Sequence, residues 1–422
     1  MGIYVSVLAY AIIPLSFLLF WKRGMYKEML IGFFYLLILS DSFYLPFAKT
    51  IKPVIIFLLG FFFLSNQQKF RPLTNLHSSF IPFFIIAIIT LVQSETLFVS
   101  IEKLISYILL FMCVPNFTVL IYREYGNKAF KEIIIFTSIL LLIGLLYQYI
   151  NVDVAISHGG RFRGIFGNPN GVAMFCVFFY ILFAIINEYY PDLLSRGDKL
   201  YFFVGVVCSI ILSGSRNSMV CVLIFYLFYK INKISPFLIF VFFIFIAVSF
   251  QMIESELVTI IQRVGLSHYF RLDTLKSGSG RGVAWAFAWE HIQKNLFFGK
   301  GFDYNQYLFL LPKNRQMLNM LNHQGDVHNV YLGFWLDVGL VGLILFFTAF
   351  FYLFYKASKA TPVAVPMMYS LLFMSNYEPW LIASLNPYTI QFLMTMSIIL
   401  YCKPIIGVIT AAPLAVSNES IK

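Results

Sequence analysis

LYFFVGVVCSIILSGSRNSMVCVLIFYLFYKI, residues 200–231, decides the fold. It is a run of 32 residues, apolar but for the break Ser213-Gly214-Ser215-Arg216-Asn217-Ser218. As one helix it would extend ~48 Å, well past a hydrocarbon core of ~30 Å. As two helices, each has about 14 or 15 residues and reaches only ~21 Å. The expected compromise is two short helices meeting below one membrane surface, with Arg216 recessed inside the bundle. An arginine at mid-helix costs ~2.5–3.5 kcal/mol on insertion scales. That cost is bearable where Arg216 lines a wet cavity and meets an anion. The competing reading is an interfacial arginine stretching its head to the lipid surface. The Ser, Gly and Asn neighbours favour the cavity.

Outward from this hairpin, the chain repeats the same character. Of 422 residues, 60% are hydrophobic and only 12% charged, about half the share of a soluble domain. The class is an all-α polytopic membrane protein. Candidate spans lie at roughly 3–21, 28–47, 51–65, 79–97, 101–122, 131–150, 170–189, 200–213, 217–231, 235–252, 329–356, 363–382 and 388–402, about 12–13 in all. No small-residue cleavage site follows Ile3–Trp21, so this segment reads as a span rather than a cleaved leader. Lys22, Arg23 and Lys27 follow the first span, and Lys69 and Arg71 the third. Arg123, Lys128 and Lys131 follow the fifth, Arg196 and Lys199 the seventh, Lys230 and Lys233 the ninth, and Lys356 and Lys359 the eleventh. Every second connection is basic, which assigns those connections and the C-terminal tail to the cytoplasm and the N-terminus to the outside. The net charge of +11 is mostly this bias and points to no nucleic acid.

One long stretch, 253–327, could live in water. It divides the chain into a bundle 1–252, an outer (periplasmic) loop 253–327, C-terminal spans 328–402 and a cytoplasmic tail 403–422. The loop carries His268, His291 and His323, with His328 just past its end. The five cysteines all fall in apolar spans and read as small core residues. No metal-ligand spacing and no internal repeat is present.

Four polar groups fall on the outward side. Arg216 is the first. The second is Arg161-Phe162-Arg163-Gly164, followed by the turn Gly167-Asn168-Pro169-Asn170-Gly171 and a helix from about 171. Asn170 is the expected N-cap. A helix N-terminus with two arginines upstream favours an anion, although a capped turn with surface arginines has the same sequence. The third group, Gly278 to His291, places Arg281, Trp285 and Trp289 on one helical face, suited to a sugar beside a phosphate. Tryptophan also marks membrane interfaces. The fourth runs from Asp326 through His328 and Asn329, which open a long apolar helix, to Asp337, Gly339 and Gly342. His328 can take up a proton near neutral pH, and a structural histidine is the commoner case. Asp337 is an unusual acid in a span, with a buried polar partner as its ordinary explanation. Glu254 and Glu256 are the nearest thing to a metal-binding acid pair and read as interfacial. There is no phosphate-binding P-loop, no Gly-x-Ser-x-Gly and no His-Glu-x-x-His.

In order, these motifs are Arg-x-x-Gly with Gly-Asn-x-Asn, Ser-Gly-Ser-Arg, Arg-x-x-x-Trp, Gly299-Lys300-Gly301-Phe302 and His-Asn with acid-x-Gly-x-x-Gly. The set resembles the O-antigen ligase and O-antigen polymerase family of bacterial envelope glycosyltransferases, over about residues 160 to 342. Asp337 stands where a Glu is frequent. The resemblance implies a GT-C-like bundle in the bacterial inner membrane, without cofactor or metal, inverting, and active on the periplasmic side. It implies a donor glycan on undecaprenyl diphosphate and an acceptor that is the lipid A core or another lipid-linked repeat. By motif position, Arg216 and Arg281 would bind the diphosphate and His328 would assist the acceptor hydroxyl. Arg161, Arg163, Asn168, Asn170, Trp285 and Asn329 are the expected substrate-binding set.

The chemistry of the residues agrees. A lipid diphosphate is already a leaving group, so no nucleotide is needed. Guanidinium groups stay charged and grip phosphate oxygens in forked pairs. A sugar hydroxyl needs a base at the moment of attack; Asp326 and Asp337 are the other candidates near His328. The competing class is a lipid-linked glycan transporter, for which repeats and matched broken helices are expected. Convergence of Arg161, Arg216, Arg281 and His328 on one cavity separates the two.

Overall fold

The computed structural model describes residues 2–42, 45–70, 74–157, 159–232, 234–235, 237–245, 263, 281–321, 325–382 and 385–402. The loop before Arg281 (Arg263 apart), with His268, Glu254, Glu256 and Gly278, lies outside these residues. So do His323 and the tail 403–422.

Within them the protein is helical, and every expected apolar segment is helix over most of its described length. Six helices are long and apolar enough to cross a membrane: Pro46–Ser65, Leu76–Gln93, Leu97–Tyr125, Lys128–Tyr147, Pro169–Tyr189 and Val330–Ser358. Leu97–Tyr125 and Pro169–Tyr189 are the most deeply buried of the six, and Pro387–Tyr401 packs against both. The chain is a multi-pass, all-α membrane protein.

Ion pairs tie the basic connections into one face. Lys27 Nζ meets Glu132 Oε2 at 2.8 Å, Lys69 Nζ meets Glu124 Oε1 at 2.6 Å and Lys131 Nζ meets Asp198 Oδ2 at 3.4 Å. Asn232 Nδ2 donates to Pro362 O at 2.7 Å, and Tyr190 OH to Cys402 O at 2.8 Å. These contacts join the connections after the first, third, fifth and seventh spans, and separately those after the ninth and eleventh.

Two details differ from expectation. Arg196–Ser213 and Arg216–Asn232 have 18 and 17 residues, ~27 and ~26 Å, because the first begins four residues earlier at a Ser195 capping box. Each is therefore close to full span length, and the chain reverses at Gly214, left-handed with φ +59°. The second difference is that the expected span 363–382 is helical only over Ala364–Ser375. Residues 376–382 and 385–386 are not helical.

The helix Val330–Ser358 is broken two residues past Asp337. At Gly339 the backbone leaves the helix, with φ +69° and ψ −175°. The Leu296–Gly301 loop fills the gap: Lys300 N donates to Leu336 O, Gly301 N to Asp337 O, Leu340 N to Leu296 O and Val341 N to Phe297 O, at 2.9–3.1 Å. The buried Asp337 carboxylate accepts Asn305 N and Nδ2, both at 2.7 Å. Its partner is thus a buried amide, the ordinary explanation, and the Gly299–Phe302 and Asp337–Gly342 motifs interlock. A methyl on Gly339 would run into the Phe297 carbonyl, in backbone space essentially reserved for glycine. Gly339→Ala should therefore cost more than the ~1–3 kcal/mol of the backbone strain alone. Thermal unfolding of the purified protein reads this; an unchanged midpoint would refute the docking.

Candidate active site

Residues 376–382 carry a buried acid, Glu378, 5% exposed. Trp380 Nε1 donates to Ser375 Oγ at 3.1 Å, while Thr389 Oγ1 and Asn386 Nδ2 both donate to Trp380 O. Asn386 also caps the following helix, accepting Tyr388 N and Thr389 N. A buried carboxylate needs charged or hydrogen-bonding partners, and Glu378 has them. Arg281 Nη2 lies 3.0 Å from Oε1, and His328 Nδ1 lies 3.9 Å from Oε2. Asp326 Oδ1 is 3.3 Å from the same Nδ1 and accepts His328 N at 2.8 Å. Arg161 acts electrostatically on Glu378 as well.

Each partner arrives on its own element. Arg281 opens the helix Arg281–Lys294; its guanidinium lies 5.6 Å from the centre of the Tyr377 ring. Trp285, on the same face, donates its indole N–H to Val327 O at 3.1 Å. Trp289 packs edge-on against Trp335, centroids 5.4 Å apart. Asn329 is the N-cap of Val330–Ser358: it accepts Leu332 N at 3.0 Å and donates to Asn376 O at 3.2 Å. His328 itself has φ +45°, unusual for a side-chain-bearing residue. Gly325 leaves room for its ring, since a Cβ there would sit 2.9 Å from Nε2.

The arginine-rich turn separates into two roles. Arg161 reaches across the hairpin, Nε to Ser213 O at 2.6 Å and Nη2 to Asn170 Oδ1 at 2.7 Å. Arg163 is buried, and its guanidinium meets the carbonyls of Val154, Gly167 and Asp153. That geometry staples the turn. The N-cap of Pro169–Tyr189 is Asn168, which accepts Asn170 N at 2.8 Å, so the cap lies two residues before the expected Asn170. Pro169 then occupies the first helical position, where its missing N–H costs nothing.

Arg216 opens its helix just past the carbonyl that Arg161 holds. That helix packs along Ala364–Ser375. Cys221 Sγ touches Met374 Sδ at 3.9 Å. Thus Arg281 and His328 meet one carboxylate, while Arg161 bonds the turn from which the Arg216 helix starts.

Sequence reading passed over Glu378 and the lysines. A cavity of about 450 Å³ is lined by Lys49, Lys52, Lys103, Asp303, Asp326 and Pro379 among others. Lys52 Nζ donates to Leu385 O at 2.8 Å, and Lys103 Nζ pairs with Asp303 at 2.5 Å and also contacts Gln306. Burial pushes the Asp303 carboxyl above its ordinary value, and the Lys103 ammonium opposes the rise. A charged residue inside an expected span is a site candidate by default, and Asn376, Pro379 and Asn386-Pro387 marked the break around Glu378.

The fold and this cluster define a multi-pass membrane protein with a buried cation–acid–imidazole site. Residues 201–347 match the sequence model of a family described as O-antigen ligase, an enzyme family. The resemblance read from the motifs is thereby borne out over that segment. No curated protein matches the chain.

Proposed function

We propose that the protein moves a glycan from undecaprenyl diphosphate to an acceptor sugar hydroxyl on the periplasmic face of the inner membrane, as a ligase or polymerase of lipid-linked glycans. One observation carries the reading: Glu378 holds an arginine on one carboxylate oxygen and faces a histidine with the other. A leaving diphosphate needs fixed positive charge and an attacking hydroxyl needs a base, and the two groups stand side by side. Their face is opposite the basic connections, which the charge rule places in the cytoplasm.

In the proposed reaction the donor diphosphate lies against Arg216 and Arg281, with Arg161 behind. The acceptor oxygen attacks the anomeric carbon from the side opposite the leaving group. The carbon–oxygen bond to diphosphate breaks, and its electron pair goes to undecaprenyl diphosphate. The hydroxyl proton passes to His328. The neutral ring takes the proton on its unprotonated nitrogen, with Asp326 and Glu378 beside Nδ1. Glu378 then faces the imidazolium that forms. Arg163 and Asn168 serve the turn that places Arg161 and Asn170, and Asn329 fixes the start of the helix behind His328.

The described residues include no group of three or more His, Cys, Asp or Glu arranged to hold a metal ion, and the proposal gives charge neutralisation to the guanidinium groups. A chelator should accordingly leave the initial rate unchanged; strict dependence on Mg²⁺ or Mn²⁺ would overturn that assignment. The activity is tested by reconstitution with lipid-linked repeat, with and without lipid A core. Longer chains on the carrier identify a polymerase, and modified core a ligase. Passage of the repeat across the bilayer without transfer would instead favour transport.

A further inference from the structure

The lysine-bearing cavity lies on the His328 side of the cluster. Asp326 belongs to both: it lines the cavity and accepts the His328 amide. Pro379, next to Glu378, lines it too. Arg281 approaches Glu378 through the other carboxylate oxygen. Asp326 thus connects the cavity to the His328 ring, 3.3 Å from Nδ1.

The lining also says what kind of group. Its charged side chains are Lys49, Lys52 and Lys103 against Glu102, Asp303 and Asp326, three against three. A wall balanced in this way has no net pull on a phosphate. It offers alternating donors and acceptors, which match the hydroxyls of a sugar, since each hydroxyl both donates and accepts. Asn305 and Gln306 add amides. At about 450 Å³ the space falls in the range of small-ligand sites. Ser106 supplies an independent sign. It is 1% exposed and lines the cavity. Its hydroxyl has no hydrogen-bond partner among the described residues. Thr118, Ser138 and Ser375, also in helices, each donate to the carbonyl four residues back. A buried hydroxyl left without this usual partner costs stability, and a ligand hydroxyl would satisfy it. A second chamber of about 210 Å³ shares Lys49, Lys52, Pro379 and Leu385 and continues toward Asp41 and Tyr388.

We infer that this cavity is the subsite for the acceptor saccharide, an uncharged, hydroxyl-rich sugar held by Ser106, Lys52 and the Lys103–Asp303 pair so that one hydroxyl faces His328. The inference rests on the transfer reading above.

Ser106→Ala and Ser106→Leu test it, with the protein in nanodiscs and two readouts. One is the affinity for undecaprenyl diphosphate, which carries no sugar. The other is the KM for whichever acceptor the wild-type protein uses, lipid A core or lipid-linked repeat. Ser106→Ala removes one hydrogen bond and should raise this KM about 2- to 10-fold. Ser106→Leu also fills space and should raise it further. Undecaprenyl diphosphate affinity should stay at the wild-type value in both. An unchanged KM in both variants, or an equal loss of undecaprenyl diphosphate affinity, overturns the inference while wild-type transfer still stands. A wild-type protein that binds undecaprenyl diphosphate and transfers nothing overturns the transfer reading, and the subsite with it.

Discussion

Arg281→Ala should stop glycan transfer by whatever protein still reaches the membrane. In the proposed reaction Arg281 stabilises charge that appears only as the diphosphate departs. Removing one preorganised donor of this kind typically costs about 10²–10³-fold in rate. Arg216→Ala should do the same. Arg281→Lys should rescue poorly, because an ammonium is a point charge and cannot fork across two oxygens. Arg281 also neutralises Glu378, 3.0 Å away and buried, so truncation leaves a carboxylate without its cation, itself a destabilising change. The double variant Arg281→Ala/Glu378→Gln separates the two roles. If Arg281 exists to bind phosphate, the double variant regains any lost abundance and remains inactive. Recovery of transfer in the double variant would show that Arg281 serves only to quiet Glu378.

The sequence made the scaffold legible because the membrane imposes a simple rule. Backbone groups in hydrocarbon must satisfy themselves, so apolar length gives helices, and charge placement gives their direction. Pairs such as Lys27–Glu132 and Lys131–Asp198 bring basic connections together in space. Local devices were nearly as readable: Asn329 caps as its position suggests, and Asn168 caps two residues from where it was expected. What stayed hidden depends on chain pieces far apart in sequence. Arg163 resembles Arg161 in the sequence, and only the path of the 153–167 backbone turns its guanidinium onto carbonyls. Asp337 stands out as an acid in a span, while its partner Asn305 is 32 positions away. Glu378 lay inside an expected span. Lys49 and Lys52 sat on the outward side against the general bias, and Lys103 near the outer start of a span. They gain meaning only where three helix ends meet Pro379, Ile382 and Leu385 around one cavity.

His328→Ala should slow transfer by about 10²–10⁴-fold, with undecaprenyl diphosphate affinity unchanged. The split matters because Arg281 and His328 share Glu378 yet have different jobs. A base acts on the acceptor hydroxyl and need not touch the diphosphate, so its loss appears in kcat alone. Loss of a phosphate ligand appears in binding as well. Glu378→Gln keeps the shape of the side chain and removes its charge. It should lower kcat by weakening the hold on the imidazolium, and it should also alter undecaprenyl diphosphate affinity by loosening Arg281. Groups that work as one unit give effects smaller than the sum of the separate losses. His328→Ala combined with Glu378→Gln should therefore be little slower than His328→Ala alone. Fully additive losses would mean that Glu378 acts through some other group. A His328→Ala variant with wild-type kcat would move the base elsewhere, with Asp326, 3.3 Å from the ring, the nearest group able to take the proton.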